Sequence, residues 1–228
     1  MPRGFFVALE GIDGSGKSTA AKLLAQSLRR LGRRVFLIKF PRHGHPSAWA
    51  VDQYLNGAFG SATTIGPYIP SIFYALDRFA AAPDIRKQLA AGAIVIADRY
   101  VASSLAHQGG KIRNAKARKR FFQWKENLEY KIFGIPKPDL TIILDLPVRI
   151  AETLIAKKQR RSYILRGKRD LHERDRGHLA RAAAVYRQLA RRPHTVLHNC
   201  APGDKLLSVK EVHEKIWGVI MKCLMSKS

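Results

Sequence analysis

Residues 11–18 read Gly-Ile-Asp-Gly-Ser-Gly-Lys-Ser, and no other stretch of this 228-residue chain restricts its fold as much. The octet satisfies G-x-x-x-x-G-K-[ST] without a mismatch. Glycines in that pattern let consecutive backbone N–H groups converge on phosphate oxygens that a side chain would hold away. Lys17 then reaches the β- and γ-phosphates, and the Ser18 hydroxyl is a ligand for Mg2+. The helix that follows aims its positive N-terminal end at the same anion. The context agrees, because the apolar run Phe5–Glu10 precedes the octet and a helical stretch, Lys17–Leu31, follows it. Strand, loop and helix in that order make a nucleotide-phosphate site, with Gly11, Asp13, Gly14, Ser15, Gly16, Lys17, Ser18 and Thr19 around the phosphates.

The rest of the chain repeats this alternation. Short apolar runs at Val35–Phe40, Ala93–Asp98, Leu140–Leu146 and His194–His198 read as strands buried on both faces. Helical stretches fall at Ile72–Ala91, Asn114–Ile132, Arg149–Lys158, Leu171–Ala190 and Ser208–Met225. The pattern predicts an α/β fold: a parallel sheet of about five strands, of the P-loop NTPase type, with helices on both faces. No repeat or low-complexity linker interrupts it, so residues 1–228 read as one domain. Gly57–Pro70 reads as a loop. Gln159–Arg169, polar, basic and broken by Gly167, reads as a mobile loop.

Charge is the unusual bulk property. Lys and Arg number 41 against 17 Asp and Glu, a formal net charge of +24, in a chain that is 46% hydrophobic. That is too apolar for a disordered basic tail, and a well-cored basic protein expects anionic partners. No run of 18 apolar residues is present, so no bilayer-spanning segment is expected. The strand-like run at Phe5–Glu10 starts early, so no leader peptide is expected. Two cysteines, Cys200 and Cys223, form no framework and suit a reducing cytoplasm. Lys111–Lys125 holds seven Lys or Arg and no acid, interleaved with Phe121, Phe122 and Trp124. It reads either as a nucleic-acid surface or as an amphipathic helix with core aromatics and a solvated basic face, and the second is favoured.

Two carboxylates end apolar strands and compete for a place near the metal. Asp98 closes Ala93–Asp98 and is followed by Arg99; Asp145 ends Ile142–Asp145. Asp98 is the preferred candidate, since ligands bind beyond the carboxyl ends of such strands and a cation beside it suits phosphoryl chemistry.

Several segments together resemble the thymidylate kinases. Phe5–Thr19 is similar to that family's first strand and phosphate loop, and Phe40-Pro41-Arg42 to its FPR-type clamp. Tyr74-Ala-Leu-Asp-Arg78 resembles its aromatic-xxx-Arg helix, and Asp98-Arg99-Tyr100 with VASSLAHQG its DRY segment. Pro136–Leu140, continuing as TIILDL, resembles its PKPDL strand. The resemblance keeps the family's order from about residue 4 to 200.

It implies transfer of the γ-phosphate of MgATP to dTMP. Arg42 and Arg99 would hold the acceptor's 5′-phosphate, a task that suits the bidentate guanidinium fork. Tyr74 would stack on thymine, Arg78 would reach its O4, and Ser104 and Gln108 would face its N3 edge. Asp13 would lie near the sugar 3′-hydroxyl, and Asp170 and Glu173 would line the acceptor pocket. Ser18 and Asp98 would hold Mg2+. Lys17, Arg99 and a lid arginine, Arg161 with Arg160 or Arg166 as neighbours, would supply the catalytic cations from a lid at about 159–170. The resemblance also implies a homodimer built through helices beside the sheet, with no membrane partner and no nucleic acid expected. His107 departs from the family, which usually carries Tyr there against ribonucleotides, and His43 stands where relatives often carry Tyr. Taken singly, Tyr74 also reads as core, Arg42 and Arg78 as ordinary basic residues, and Asp170 and Glu173 as first-turn acids. A broader nucleoside monophosphate kinase and a nucleic-acid-binding ATPase are the alternatives.

Overall fold

A computed structural model describes residues 4–61, 64–157 and 177–226. Five strands form one sheet: β1 (Phe5–Gly11), β2 (Val35–Lys39), β3 (Ile94–Asp98), β4 (Leu140–Asp145) and β5 (Thr195–Asn199). Their order is β2-β3-β1-β4-β5 and every pairing is parallel. The phosphate-loop strand is therefore central, flanked by the strands that end in Asp98 and Asp145. All residues of β1 and β3 are buried, as continuous apolar runs in a sheet covered on both faces require.

The helices are α1 (Lys17–Arg30), α2 (Trp49–Leu55), α3 (Tyr68–Ala90), α4 (Val101–Gly109), α5 (Ala115–Glu126), α6 (Val148–Ala156), α7 (His178–Leu189) and α8 (Val209–Met225). Helices α1 and α8 pack on each other, with α1 against β1, β2 and β3. A second group, α3, α4, α5 and α7, gathers around α4 and closes over the sheet. One contiguous core joins the sheet to both groups. Helix α8 opens with a reciprocal capping box between Ser208 and Glu211, which fixes its start one residue after the serine.

The strands match expectation to within a residue at each end. Three helical features differ. Helix α3 begins at Tyr68, inside the stretch read as a loop; Pro70 sits in its first turn, where a missing N–H breaks no hydrogen bond. The stretch from Asn114 to Ile132 is not one α-helix, because α5 gives way to a π-helical segment over Asn127–Ile132. Helices α2 and α4 are additional; each is under ten residues, too short for a strong periodicity, and is held by tertiary packing.

Candidate active site

The phosphate loop carries the backbone its glycines imply. Gly11 and Gly14 have φ of 139° and 82°. A Cβ would meet the Leu144 carbonyl at 2.5 Å on Gly11 and the Ala151 carbonyl at 2.5 Å on Gly14, so only glycine fits either position. Lys17 opens α1 and is 5% exposed, its Nζ donating to the Ile12 carbonyl at 2.6 Å. Burial, helped by the nearby Arg99 charge, pulls its ammonium down to about 7, against the opposing pull of Asp13, Asp98 and Glu10. A group held this far below its usual value is poised to gain charge when an anion arrives.

Ser18 and Asp98 meet directly: the serine Oγ donates to the Asp98 carboxylate at 2.5 Å. Register explains it, because Asp98 stands opposite Leu9 on β1 and so beside the first turn of α1. One hydroxyl and one carboxylate are the protein share Mg2+ usually takes when phosphates and water supply the rest. No group of three or more His, Cys, Asp or Glu among the described residues forms a cage of its own. The donor set therefore fits Mg2+ on a nucleotide. Asp145 lies equally near the loop in the chain's pattern, yet its carboxylate accepts from Arg187 of α7 at 2.9 and 3.2 Å.

Arg99 follows Asp98 with φ of 71°, a left-handed conformation uncommon for an arginine and held here by its surroundings. Its Nη2 donates to Asp13 at 2.7 Å, and its Nη1 approaches the Gly11 carbonyl, Ser103 and His107, each at 3.3 Å. Burial opposes its charge, but Asp13, Tyr186, Asp98 and Glu10 outweigh burial and hold it firmly cationic. Underneath sits Glu10, fully buried in β1. One of its oxygens accepts from the backbone N–H of Tyr100 (2.8 Å) and Ser103 (3.1 Å); the other accepts from the hydroxyls of Ser103 (2.6 Å) and Tyr186 (3.0 Å). Glu10 thus caps α4 from a neighbouring strand, since Tyr100 provides no side-chain cap itself.

Arg42 comes from the loop after β2, which the Phe40 N–H ties to the Asp98 carbonyl at 3.0 Å. Asp77 of α3 holds it: the Arg42 N–H and Nε donate to the Asp77 carboxylate at 2.8 and 2.9 Å, and Nη2 donates to Ser47 at 2.7 Å. One helical position on, Arg78 is 1% exposed. Its Nε and Nη2 donate to Glu129 at 2.6 and 2.8 Å, and Nη2 also donates to Ser104 at 2.9 Å. The guanidinium is therefore no free surface cation. What remains is Nη1, whose contact among the described residues is the Tyr100 carbonyl at 3.5 Å. One turn beyond Ser104, Gln108 is fully buried, with neither amide atom hydrogen-bonded among the described residues. Tyr74 is half-buried, its ring packed edge-on to Tyr54 at 6.4 Å in a small cluster with Val51 and Leu55. His107 bridges Arg99 and His178, with Nδ1 3.0 Å from the His178 Nε2. Arg160, Arg161, Arg166, Asp170 and Glu173 lie outside the described residues.

Lys17, Ser18, Asp98, Asp13 and Arg99 therefore gather at one end of β1 and β3, while Arg78, Ser104 and Gln108 line the adjoining α3–α4 interface. Sequence reasoning missed Glu10, Asp77 and Glu129. A lone carboxylate inside the apolar run Phe5–Glu10 was the available signal for the first. Asp77 and Glu129 lie in helical stretches where an acid usually means a solvated face, and neither betrays its buried partner. Helix α5 follows the favoured reading: Phe121 and Phe122 are buried, Trp124 packs on Tyr68, and Lys125 is wholly inside. Phe121 and Phe122 belong to the core, and Trp124 is half-buried against it.

The thymidylate kinase family model matches residues 9–216. A thymidylate kinase of Mycobacterium tuberculosis is 33% identical over 186 residues, 81% of this chain and 85% of that one. A probable thymidylate kinase of Pyrococcus abyssi is 38% identical over 151 residues, 64% of this chain and 67% of that one. A solved thymidylate kinase structure from Candida albicans shares the fold at a TM-score of 0.74, covering 97% of this chain and 93% of that one at 22% identity.

Proposed function

We infer, from the premise that this chain belongs to the thymidylate kinase family, that it transfers the γ-phosphate of ATP to dTMP, giving dTDP and ADP. An oxygen of the dTMP phosphate forms the new bond to the γ-phosphorus, and the bond to the β–γ bridging oxygen breaks. Such transfer asks the protein for alignment and charge neutralisation between two anions. Lys17 and the α1 amides bind the donor phosphates, and Arg99 and Arg42 grip the acceptor phosphate. Ser18 and Asp98 would hold Mg2+, which supplies charge neutralisation on the transferring group when bound. By the same family resemblance, Arg161 supplies a further cation, and Asp170 and Glu173 line the acceptor pocket.

The observation that carries the acceptor reading is Gln108. A buried amide with an NH2 donor and a carbonyl acceptor, unpaired among the described residues and one turn from the Ser104–Arg78 contact, matches the O4 and N3–H edge of thymine. Tyr74, half-exposed beside that interface, supplies the stacking wall, and Asp13 holds Arg99 on the sugar side. His107 in place of a tyrosine leaves discrimination against ribose as a property to measure.

A homodimer belongs to the same reading. Tyr68, Ile69, Ile72, Leu76 and Phe79 are all exposed and fall on one side of α3. An apolar stripe of that length on a helix buried by its opposite side calls for a second copy of this chain. The contiguous core supports treating residues 1–228 as one domain. A cytoplasmic place accords with two unpaired cysteines, and no described helix is long and apolar enough to cross a membrane.

A coupled ADP-release assay with dTMP, dUMP, dCMP and AMP, run on wild type and Lys17→Ala, tests the reading. Preference for dTMP, abolished in Lys17→Ala, is expected; equal rates on dTMP, dCMP and AMP would overturn the thymine assignment.

A further inference from the structure

Beneath the acceptor pocket lie three charged side chains that no phosphate chemistry requires. Arg78, Lys125 and Glu129 are all buried, at 1%, 0% and 0% exposure. Glu129 takes Arg78 in a two-pronged grip, Nε to one oxygen and Nη2 to the other, and its second oxygen also receives Lys125 Nζ at 2.8 Å. Lys125 gives another proton to the Ser71 carbonyl. Two cations against one anion leave the cluster with net positive charge, which is expensive in a low-dielectric interior unless something uses it. The attraction of the two cations overcomes burial and holds the Glu129 carboxyl below its usual range, so the acid is ionised.

We propose that Glu129 is the positioning residue for base recognition: its carboxylate locks the plane of the Arg78 guanidinium and leaves the Nη1 edge for the nucleobase. The proposal rests on the reading of Arg78 as the base-contacting arginine. An arginine side chain is rich in rotamers, and a bidentate partner removes that freedom before substrate arrives. Ser104 fixes the remaining Nη2 proton, so the guanidinium has one orientation in which four donors are engaged and Nη1 retains capacity. Only a carboxylate can do this. A glutamine of the same shape would present an NH2 group to one of the two arginine donors, setting donor against donor. The local backbone is specialised as well. Glu129 sits in the π-helical turn Asn127–Ile132, where Phe133 N–H reaches the Leu128 carbonyl at 2.9 Å, and such turns concentrate at functional sites.

Lys125 supplies the control. It is equally buried and shares the same carboxylate, but its partners, Glu129 and Ser71, do not face the base. In the full chain, Glu129→Gln, Lys125→Met and Arg78→Lys are compared with wild type for melting temperature, KM for dTMP and for ATP, and the dTMP-to-dCMP ratio of kcat/KM. Glu129→Gln is expected to raise KM for dTMP about tenfold and cut the dTMP preference about tenfold, with KM for ATP within about twofold. Lys125→Met is expected to lower the melting temperature comparably while KM for dTMP stays within about twofold. If Glu129→Gln does not fold, Glu129→Asp replaces it; it keeps the charge but cannot span both donors, and KM for dTMP should rise while melting stays nearer wild type. Equal kinetic effects from the Glu129 and Lys125 variants, or unchanged dTMP constants in a destabilised Glu129 variant, would make Glu129 a structural residue and overturn the proposal. Loss of discrimination in Arg78→Lys but not in Glu129→Gln overturns the proposal alone. Discrimination kept in Arg78→Lys overturns the base-contact reading, and the proposal with it.

Discussion

Removing the Glu10 side chain should cost far more than neutralising it, and the difference is set by geometry. Its first oxygen serves two backbone N–H groups, at Tyr100 and Ser103, which cannot turn away; its second serves two hydroxyls, at Ser103 and Tyr186, which can. In Glu10→Gln the amide oxygen keeps the backbone pair, and both hydroxyls rotate to accept from the new NH2. That swap loses only charge assistance, about 1 kcal/mol. In Glu10→Ala two buried N–H groups lose their acceptor at about 1–3 kcal/mol each, giving roughly 2–6 kcal/mol in all. For a domain of this size a melting shift of about 2–4 °C per kcal/mol follows, so Glu10→Gln should melt lower by about 3 °C and Glu10→Ala by about 4–24 °C. The N-terminus of α4 carries Ser103 and follows Arg99, so kcat/KM for dTMP should fall in the alanine variant more than in the glutamine one. Scanning calorimetry on the three proteins reads the shifts. Equal melting temperatures for the two variants would refute the claim that the backbone donors carry the energy.

Three further outcomes follow from the site. The Lys17 ammonium, lowered to about 7 by burial and Arg99, must be charged against phosphate. Free protein therefore takes up a proton on binding ATP above that pH, about 0.9 per site at pH 8, and affinity weakens as pH rises. Calorimetric titration in buffers of different ionisation enthalpy, corrected for the nucleotide, measures the uptake; a value near zero would show Lys17 already charged. Gln108→Leu removes a buried amide with no partner among the described residues, so it should leave stability unchanged or raised while weakening dTMP binding about tenfold or more, a combination thermal melting and KM together will detect. Leu76→Asp places a charge in the exposed stripe of α3 and should convert a dimer to monomer in analytical ultracentrifugation without lowering the melting temperature of the monomer fold; a wild-type monomer would remove the reason for the stripe offered above.

The basic charge now divides by location. Lys125 lies in the core, Lys17 and Arg99 at the phosphate end of the sheet, and Arg42 and Arg78 against acids of α3 and the π-helical turn. Of the seven cations between Lys111 and Lys125, Arg113, Lys116, Lys119 and Arg120 are exposed, and they account for the solvated basic face expected of that stretch.

Taken alone, the sequence determined whatever depends on local pattern. The five strands, the phosphate loop and its helix, and the parallel α/β class are legible because apolar runs, glycine spacing and helical periodicity are properties of contiguous residues. The motif order also pointed to Arg42, Tyr74, Arg78, Arg99, Ser104 and Gln108, though not to the state in which each side chain is held. Both Asp98 and Asp145 end apolar strands beside β1, and only tertiary structure shows their different partners, Ser18 for one and Arg187 for the other. Tertiary structure decided that Arg78 is a buried, clamped group and that Glu10 caps a helix 90 residues away. A charge reads as solvated in one dimension because its pairing depends on distance in space, and the partners of Glu10, Asp77 and Glu129 are brought to them by the sheet order and the packing of α3, α4 and α5.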